Sequence, residues 1–455
     1  MSKTVIVGGG IAGLTAAYSL VRGGRRDVVL LEASPSLGGK IRTTHRDGLL
    51  IEHGPDSIFT MKPWGLDLIC ELGLGDEVVE PLGAGFSIFV DGKVHKVPRA
   101  LASLIPSASS VLEKVGFLSA AARKRVLSES SVAKGAAEDE SIASFFRRRF
   151  GKRYASTLAE PLLAGIHAGD PERLSMRALY PSYLGLEQSK GSLSGGNGKP
   201  PAPKKDGAKR CAFVTLRSGL STLTETLERE LTDGVARTGT TVQTVQKSGS
   251  GLTVVTERGE RIEADALALA TPAYVAAPML AEVAPETAEA LRSVRFVSTA
   301  VATFAFPSDA FPKPLEGNGF LVPNSEGEAI TGCTFSSLKW PGRAPEGTVL
   351  MRVFLGRDGG LDVDAESEEE LGDLALEAVQ RILKPKTAPT YRALDRWTNA
   401  MPQYEIGYLD TMERARRGLS GLPIHLIGSS YGGNGIPDCV RLGREFAQSI
   451  LGKSS

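Results

Sequence analysis

Three glycines and one acid near the N-terminus are the residues best placed to do chemistry in this chain. Gly8, Gly10 and Gly13 fall in a G-x-G-x-x-G spacing directly after the apolar run Thr4-Val-Ile-Val7, and Glu32 closes a second apolar run, Val28-Val-Leu-Leu31. Gly8 permits a tight turn, Gly10 lets backbone approach a pyrophosphate, and Gly13 lets the following helix lie close on the sheet. That helix turns its N-terminal N–H groups and positive dipole end toward the phosphates. Glu32 is placed to hold a ribose 2′-hydroxyl, which argues against a 2′-phosphate and so against NADP. Strand, glycines, helix, second strand and acid, in that order, specify a dinucleotide-binding unit.

A second glycine-rich turn lies near the other end, Leu426-Ile-Gly-Ser-Ser-Tyr-Gly-Gly-Asn-Gly-Ile-Pro-Asp438. Pro437 suits a first helical turn, where its missing N–H costs nothing. A helix N-terminus aimed at a flavin ring would stabilise negative charge on the reduced ring. The plain alternative is a strand-to-helix connection, but four glycines in eight residues exceed what a turn needs.

The elements that must position these two turns follow from periodicity. At 455 residues the chain is too long for one core and predicts two or three packed units. A hydrophobic share of 42%, a charged share of 23% and a net charge of +1 describe an ordinary globular protein with no overall pull toward nucleic acid. The four cysteines, Cys70, Cys211, Cys333 and Cys439, are far apart. That fits reduced thiols in a cytosol and gives no metal site, and the five histidines lack zinc-ligand spacing. No apolar run approaches the ~20 residues that span a bilayer. The entry into a strand within three residues leaves no room for a signal peptide.

Along the chain, residues 62–82 read as helical and Phe86–Val97 as a hairpin turning at Asp91-Gly92. Residues 99–183 have helical texture. Two basic clusters within it, Arg123–Arg125 and Arg147–Arg153, read as solvated helix faces, with a lipid-docking surface as the alternative. Residues 189–210 form a linker in which Lys190, Lys199, Lys204, Lys205, Lys209 and Arg210 face a single acid, Asp206. A helix is expected over 219–231, strands over 241–245, 252–257 and 266–270, and further strands over 301–306, 319–322 and 349–355. The last strand group suggests a second, antiparallel sheet. A helix over 366–383, a strand over 424–427 and a helix over 438–451 complete the pattern. The fold class is therefore α/β + α: a Rossmann-like nucleotide-binding domain assembled from discontinuous segments, an antiparallel-sheet domain and a helical insertion. The expected boundaries are 1–60, 219–275 and 390–455 for the first, 61–98 and 276–389 for the second, and 99–218 for the third.

With these motifs the chain resembles the oxygen-dependent porphyrinogen oxidases, within the flavin amine-oxidase superfamily. The Gly8–Gly13 fingerprint, Glu32 and Gly38-Gly-Lys-Ile-Arg42 are shared across that superfamily. More telling are Glu52-His-Gly-Pro-Asp-Ser57, Glu160-Pro-Leu-Leu-Ala-Gly-Ile-His-Ala-Gly-Asp170, Leu174-Ser175, Met401-Pro-Gln-Tyr404 with Gly407, and Tyr431-Gly-Gly-Asn-Gly-Ile-Pro-Asp-Cys439. They look like the type found in Gram-positive bacteria, and the similarity runs end to end. It implies non-covalent FAD held at Gly8, Gly9, Gly10, Ile11, Ala12, Gly13, Glu32, Ala33, Lys40, Gly54, Pro55, Asp56, Ser57, Val242, Trp397, Asn434, Gly435 and Ile436. At Val242 an edge-strand backbone can pair with adenine while the side chain packs the ring; a core valine is the equal alternative.

The implied reaction is oxidation of a porphyrinogen to a porphyrin in haem biosynthesis, with O2 as acceptor and H2O2 released. Gained aromaticity drives it, so orientation and flavin electrostatics are the protein's task. No catalytic base is assigned, and His53 and His167 read as structural or pocket-lining residues. Substrate propionates need cations, for which Arg99 and Arg177 are the candidates. Four propionates would mean coproporphyrinogen III and two would mean protoporphyrinogen IX; the Gram-positive-like motifs favour the former. The resemblance further implies a cytoplasmic protein and no nucleic-acid partner. It leaves open a peripheral membrane contact and association with other haem-pathway enzymes.

Two departures stand out. Residues 189–210 replace a basic, apolar helical stretch beside the substrate cavity, and Gly432 follows Tyr431 where the family often has an acid. A flavin amine oxidase, a carotenoid desaturase and a non-catalytic flavin- or porphyrin-binding protein are the rival readings. The C-terminal turn carries Ser429, Ser430 and Tyr431 rather than a cysteine able to hold flavin covalently.

Overall fold

The computed structural model describes residues 3–83, 85–101, 104–106, 109–163, 165–194, 211–249 and 251–452. They form two units, one built from residues 1–80, 210–295 and 409–455, the other from 81–209 and 296–408. These boundaries differ from the expected ones in four places. Residues 61–80, 211–218 and 276–295 belong with the first unit. Residues 391–402 belong with the antiparallel sheet, because Tyr391–Pro402 pairs along its length with Phe296–Pro307. The helical segment and that sheet fall in one unit.

The first unit is built on a five-stranded, all-parallel sheet. Its strands are β1 (Thr4–Val7), β2 (Val28–Leu31), β3 (Ala236–Arg237), β4 (Ala266–Leu269) and β5 (Ile424–Leu426), in the order β3-β2-β1-β4-β5. Strand β1 is buried at every residue, as a central parallel strand must be. Helix α1 (Ile11–Arg22) follows β1, and helix α2 (Ile436–Leu451) follows β5. The two pack closely because Gly443 has no side chain; a Cβ there would stand 2.5 Å from the Ala12 carbonyl oxygen. The C-terminal helix thus starts at Ile436, two residues before its expected start, with Pro437 inside the first turn.

The stretch expected to be helical over 62–82 is an α-helix at Trp64–Glu71 and a single 3-10 turn at Gly75–Glu77. Gly73, with φ +72°, ends the α-helix, and Val78–Val79 is a short strand beside Phe213–Leu216. The expected hairpin is present as Ser87–Val90 and Lys93–Lys96.

In the second unit seven strands form a sheet that is antiparallel except where Gly319–Leu321 lies beside Ser87–Val90. Its helical part is organised by Ile142–Phe150, which buries Phe145, Phe146 and Phe150. Two of the arginines beside them, Arg148 and Arg149, are drawn into ion pairs rather than left on a solvated face. Arg149 is 0% exposed and is paired with Glu129 and, at 3.0 Å, with Glu187. Arg148 bridges Glu140 and Glu187 at 2.5 and 2.6 Å, Arg147 pairs with Glu172, and Arg153 with Asp91. Arg125 donates to the Arg148 and Arg149 carbonyls. A buried cation is tolerated only when paired and hydrogen-bonded, and this network supplies both.

The expected linker begins later than 189. Pro181–Lys190 is a helix capped by Gly191, and Glu129 accepts hydrogen bonds from Ser192, Leu193 and Ser194. Residues 195–210 of that expectation lie outside the described residues.

Candidate active site

The carboxyl ends of β1, β2 and β5 bring three loops together, the place where open parallel sheets bind ligands. At the end of β1, Gly8 has φ +108°, and a Cβ there would meet Ala270 backbone at 3.0 Å. Gly13 is packed hardest: a Cβ would stand 1.9 Å from the Gly8 carbonyl oxygen. Gly10 differs from both, since a Cβ would meet nothing within 4 Å. Gly8 and Gly13 therefore build the turn, and the space over Gly10 is left for something else. Helix α1 begins at Gly10 with no side-chain cap and no acid in its first turn, so its N-terminal amides lack an internal anion. Ile11 and Ala12 bury their side chains in the core and can offer only backbone.

Glu32 ends β2 and turns its carboxylate toward this loop. Its Oε2 accepts the Gly9 N–H at 2.6 Å, and its Oε1 accepts from Ser34 N at 2.8 Å and from the Ser34 hydroxyl. Its own backbone is tied to the segment leading to Val242, with Glu32 N to Arg237 O at 3.0 Å and Thr240 N to Glu32 O at 2.8 Å. Val242 begins the edge strand Val242–Ser248 and its side chain is buried. Ala33 is exposed beside Glu32. The loop Gly38-Gly39-Lys40 completes this side: Gly38 N donates to Gly9 O at 2.9 Å, and a Cβ on Gly39 would stand 3.1 Å from Gly10 Cα. Burial pushes the Lys40 ammonium below the ordinary lysine range, while the nearby Cys439 thiol opposes that shift.

The C-terminal turn is the third loop. Gly428, with φ +107°, lies near Ala12 and Ala270. Tyr431 donates its hydroxyl to Thr271 O at 2.9 Å, Arg416 donates to Tyr431 O at 2.7 Å, and Arg441 to Gly432 O at 3.0 Å. Asn434 and Gly435 then lead into α2, whose N-cap, Gly435, likewise has no side-chain cap. Burial pushes the Cys439 thiol up to about 12, helped by Asp438 and opposed by Lys40 and Arg441. It is protonated and no nucleophile.

Gly54, Pro55, Asp56 and Ser57 form a half-buried loop between Leu49–Glu52 and Ile58–Phe59, with Ser57 Oγ donating to Asp56 at 2.9 Å. Glu52, at the head of that motif, is structural. Buried, it accepts from Leu220 N at 2.8 Å and Thr43 Oγ1 at 2.7 Å, and so fixes the start of the helix Ser221–Arg229. His53 contacts Thr44 Oγ1 at 2.8 Å.

Three candidates lie in the second unit. Trp397 is half-buried on Tyr391–Pro402, paired with Thr299. Arg99 is exposed after the hairpin. Arg177 is already paired with Glu138 at 3.0 Å. His167 is buried in the same unit, with its carbonyl accepting from Gln403 Nε2 at 3.0 Å. Glu160, Arg357 and Asn324 line a small cavity there. Sequence reasoning passed over Lys62, whose Nζ meets Asp438 at 2.7 Å across 376 residues, and no local spacing signals it. Among the described residues no cluster of His, Cys, Asp and Glu could hold a metal, and no helix is long and apolar enough to cross a membrane.

A parallel sheet with two uncapped helix starts and an open glycine at its carboxyl ends fits the oxidoreductase class to which comparison assigns the chain. The particular family follows from comparison: residues 11–451 match the model of the flavin containing amine oxidoreductases, and the chain belongs to that family. It is a flavoprotein. It is 32% identical to the coproporphyrinogen III oxidase of Bacillus subtilis over 98% of this chain and 97% of the relative. It is 33% identical to human protoporphyrinogen oxidase over 99% of both. A solved Exiguobacterium structure, 31% identical, superposes with a TM-score of 0.87 over 99% of this chain and 98% of that one.

Proposed function

We propose that this enzyme oxidises coproporphyrinogen III to coproporphyrin III in haem biosynthesis, using non-covalently bound FAD and O2. The observation that carries this reading is the 32% identity to the Bacillus coproporphyrinogen III oxidase along nearly the whole of both chains. The human relative at 33% supports protoporphyrinogen IX as the second substrate to test.

The residues fit the cofactor. The open space over Gly10 and the uncapped start of α1 suit a pyrophosphate, and Glu32 suits the adenosine ribose. Val242 suits the adenine, and the turn Asn434–Ile436 suits the ring. Lys40, Gly54 to Ser57 and Trp397 remain proposed contacts. Non-covalent binding is supported by Ser429, Ser430 and Tyr431 in the C-terminal turn and by the buried, protonated Cys439. When bound, FAD supplies a two-electron acceptor. Three such oxidations remove six electrons and six protons, and three O2 become three H2O2. The chain's own work is to orient a flexible macrocycle and exclude water. Arg99 is the better-placed propionate partner of the two candidates, because Arg177 already has a carboxylate. A cytoplasmic location, with or without peripheral membrane contact, and association with other haem-pathway enzymes belong to the same reading.

The test is a substrate comparison in air. FAD-loaded protein is incubated separately with coproporphyrinogen III and protoporphyrinogen IX, and porphyrin fluorescence and peroxide are followed. Faster turnover of the four-carboxylate substrate supports the reading. Emission no higher than the autoxidation control with either substrate would remove it.

A further inference from the structure

The first turn of α2 carries an acid that opposes the helix's own field. Asp438 is 6% exposed, and its carboxylate lies under the glycine turn. A Cβ on Gly433 would stand 2.3 Å from its Cγ, and one on Gly435 3.6 Å from its Oδ2. Lys62 Nζ donates to both carboxylate oxygens, at 2.8 and 2.7 Å. The lysine arrives there because of packing. It lies two residues before Trp64–Glu71, where a Cβ on Gly65 would stand 3.3 Å from Pro437 Cγ. Arg441 stacks over the Trp64 ring at 5.3 Å while holding Gly432 O, so the arrangement is braced from both sides.

A helix N-terminus carries roughly half a positive charge within its first turn. A lone carboxylate at that turn would cancel the field and reverse its sign. With Lys62 bound to both oxygens, the pair sums to zero and the helix field survives. We propose that Lys62 is a positioning residue for the flavin: it neutralises Asp438, so that the start of α2 presents a positive field to the reduced ring. The inference rests on the flavin reading of the Asn434–Ile436 turn.

The experiment is a potentiometric titration of FAD-loaded wild type, Lys62→Met, Lys62→Arg, Asp438→Asn and the Lys62→Met/Asp438→Asn double variant. Flavin content and thermal melting are measured on each. Lys62→Met is expected to shift the flavin midpoint to more negative potential and Asp438→Asn to more positive. Lys62→Arg stays near wild type, and the double variant returns toward it. Unchanged midpoints in FAD-loaded Lys62→Met and Asp438→Asn, or shifts of the same sign in the two, overturn the proposal. If Lys62→Met does not fold, the sign of the Asp438→Asn shift decides alone, and no positive shift is contrary. A folded wild type that takes up no FAD would instead overturn the flavin reading itself.

Discussion

Glu32 accepts the Gly9 N–H at 2.6 Å, so the acid that ends β2 is tied directly to the glycine loop that ends β1. The same carboxylate holds Ser34, and the backbone of Glu32 holds Arg237 and Thr240. One residue therefore ties the glycine loop to the segment that leads to Val242. Charge-assisted hydrogen bonds of this kind are about twice as strong as neutral ones. Glu32→Ala is expected to weaken FAD binding about 10- to 100-fold, or roughly 1.4–2.7 kcal/mol. Titrating the apoprotein with FAD measures this; an unchanged affinity would contradict the role.

Two of the three fingerprint glycines, Gly13 and Gly10, should fail in different ways. Gly13→Ala forces a methyl against the Gly8 carbonyl, and overpacking of this kind costs roughly 1–3 kcal/mol or more. Gly10 has φ −73° and open space, so Gly10→Ala should melt within a degree or two of wild type as apoprotein. Its loss should appear in flavin retention instead, at least about tenfold. Equal flavin retention in the two folded proteins would show that the gap over Gly10 is not the phosphate site.

Acid should release the buried arginine network. Burial alone would raise the Glu129 carboxyl, but hydrogen bonds from Leu193, Ser192 and Ser194 outweigh it and hold the group at about 2. A depressed carboxyl gives stability that is complete above its unfolded value, ~4.3, and is lost as pH falls toward about 2. Glu129→Gln should cost roughly 3–5 kcal/mol at neutral pH by leaving buried Arg149 only Glu187, which it shares with Arg148, whereas Arg147→Ala at the surface should cost under ~1. Denaturant melts at pH 7 and pH 3 separate the two, and equal costs would refute the network's importance.

Glu160 should act with the opposite sign. Burial first, then Glu172 and Asp170, raise its carboxyl to about 7, with Arg147 opposing. A raised carboxyl stabilises below its unfolded value, ~4.3, and that benefit is lost as pH climbs through about 7. Glu160→Gln should therefore melt higher than wild type at pH 8, by a few degrees, and equally at pH 4. A variant less stable at pH 8 would contradict this assignment.

The nucleotide fold was legible because its information is local: strand, glycines, helix and acid occupy 29 consecutive residues, Thr4 to Glu32. The C-terminal turn was legible for the same reason. The buried Arg149 differs from the expected solvated face because its partners, Glu129 and Glu187, are 20 and 38 residues distant. A charge run looks solvated until the fold supplies its acids. Tyr391–Pro402 escaped notice as a strand because it edges its sheet and mixes Arg, Asp, Thr and Asn with apolar residues. Ile330–Thr334 is only five residues long and interrupted by Gly332. The Lys62–Asp438 contact joins residues 376 apart, and no local spacing announces it.

Anaerobic mixing tests the central claim most directly. FAD-loaded wild-type protein and coproporphyrinogen III are combined without oxygen, and the yellow flavin absorbance is followed. The account predicts that the colour bleaches and that it returns on admitting air, with porphyrin emission rising. A folded, yellow protein whose colour no porphyrinogen alters would contradict it.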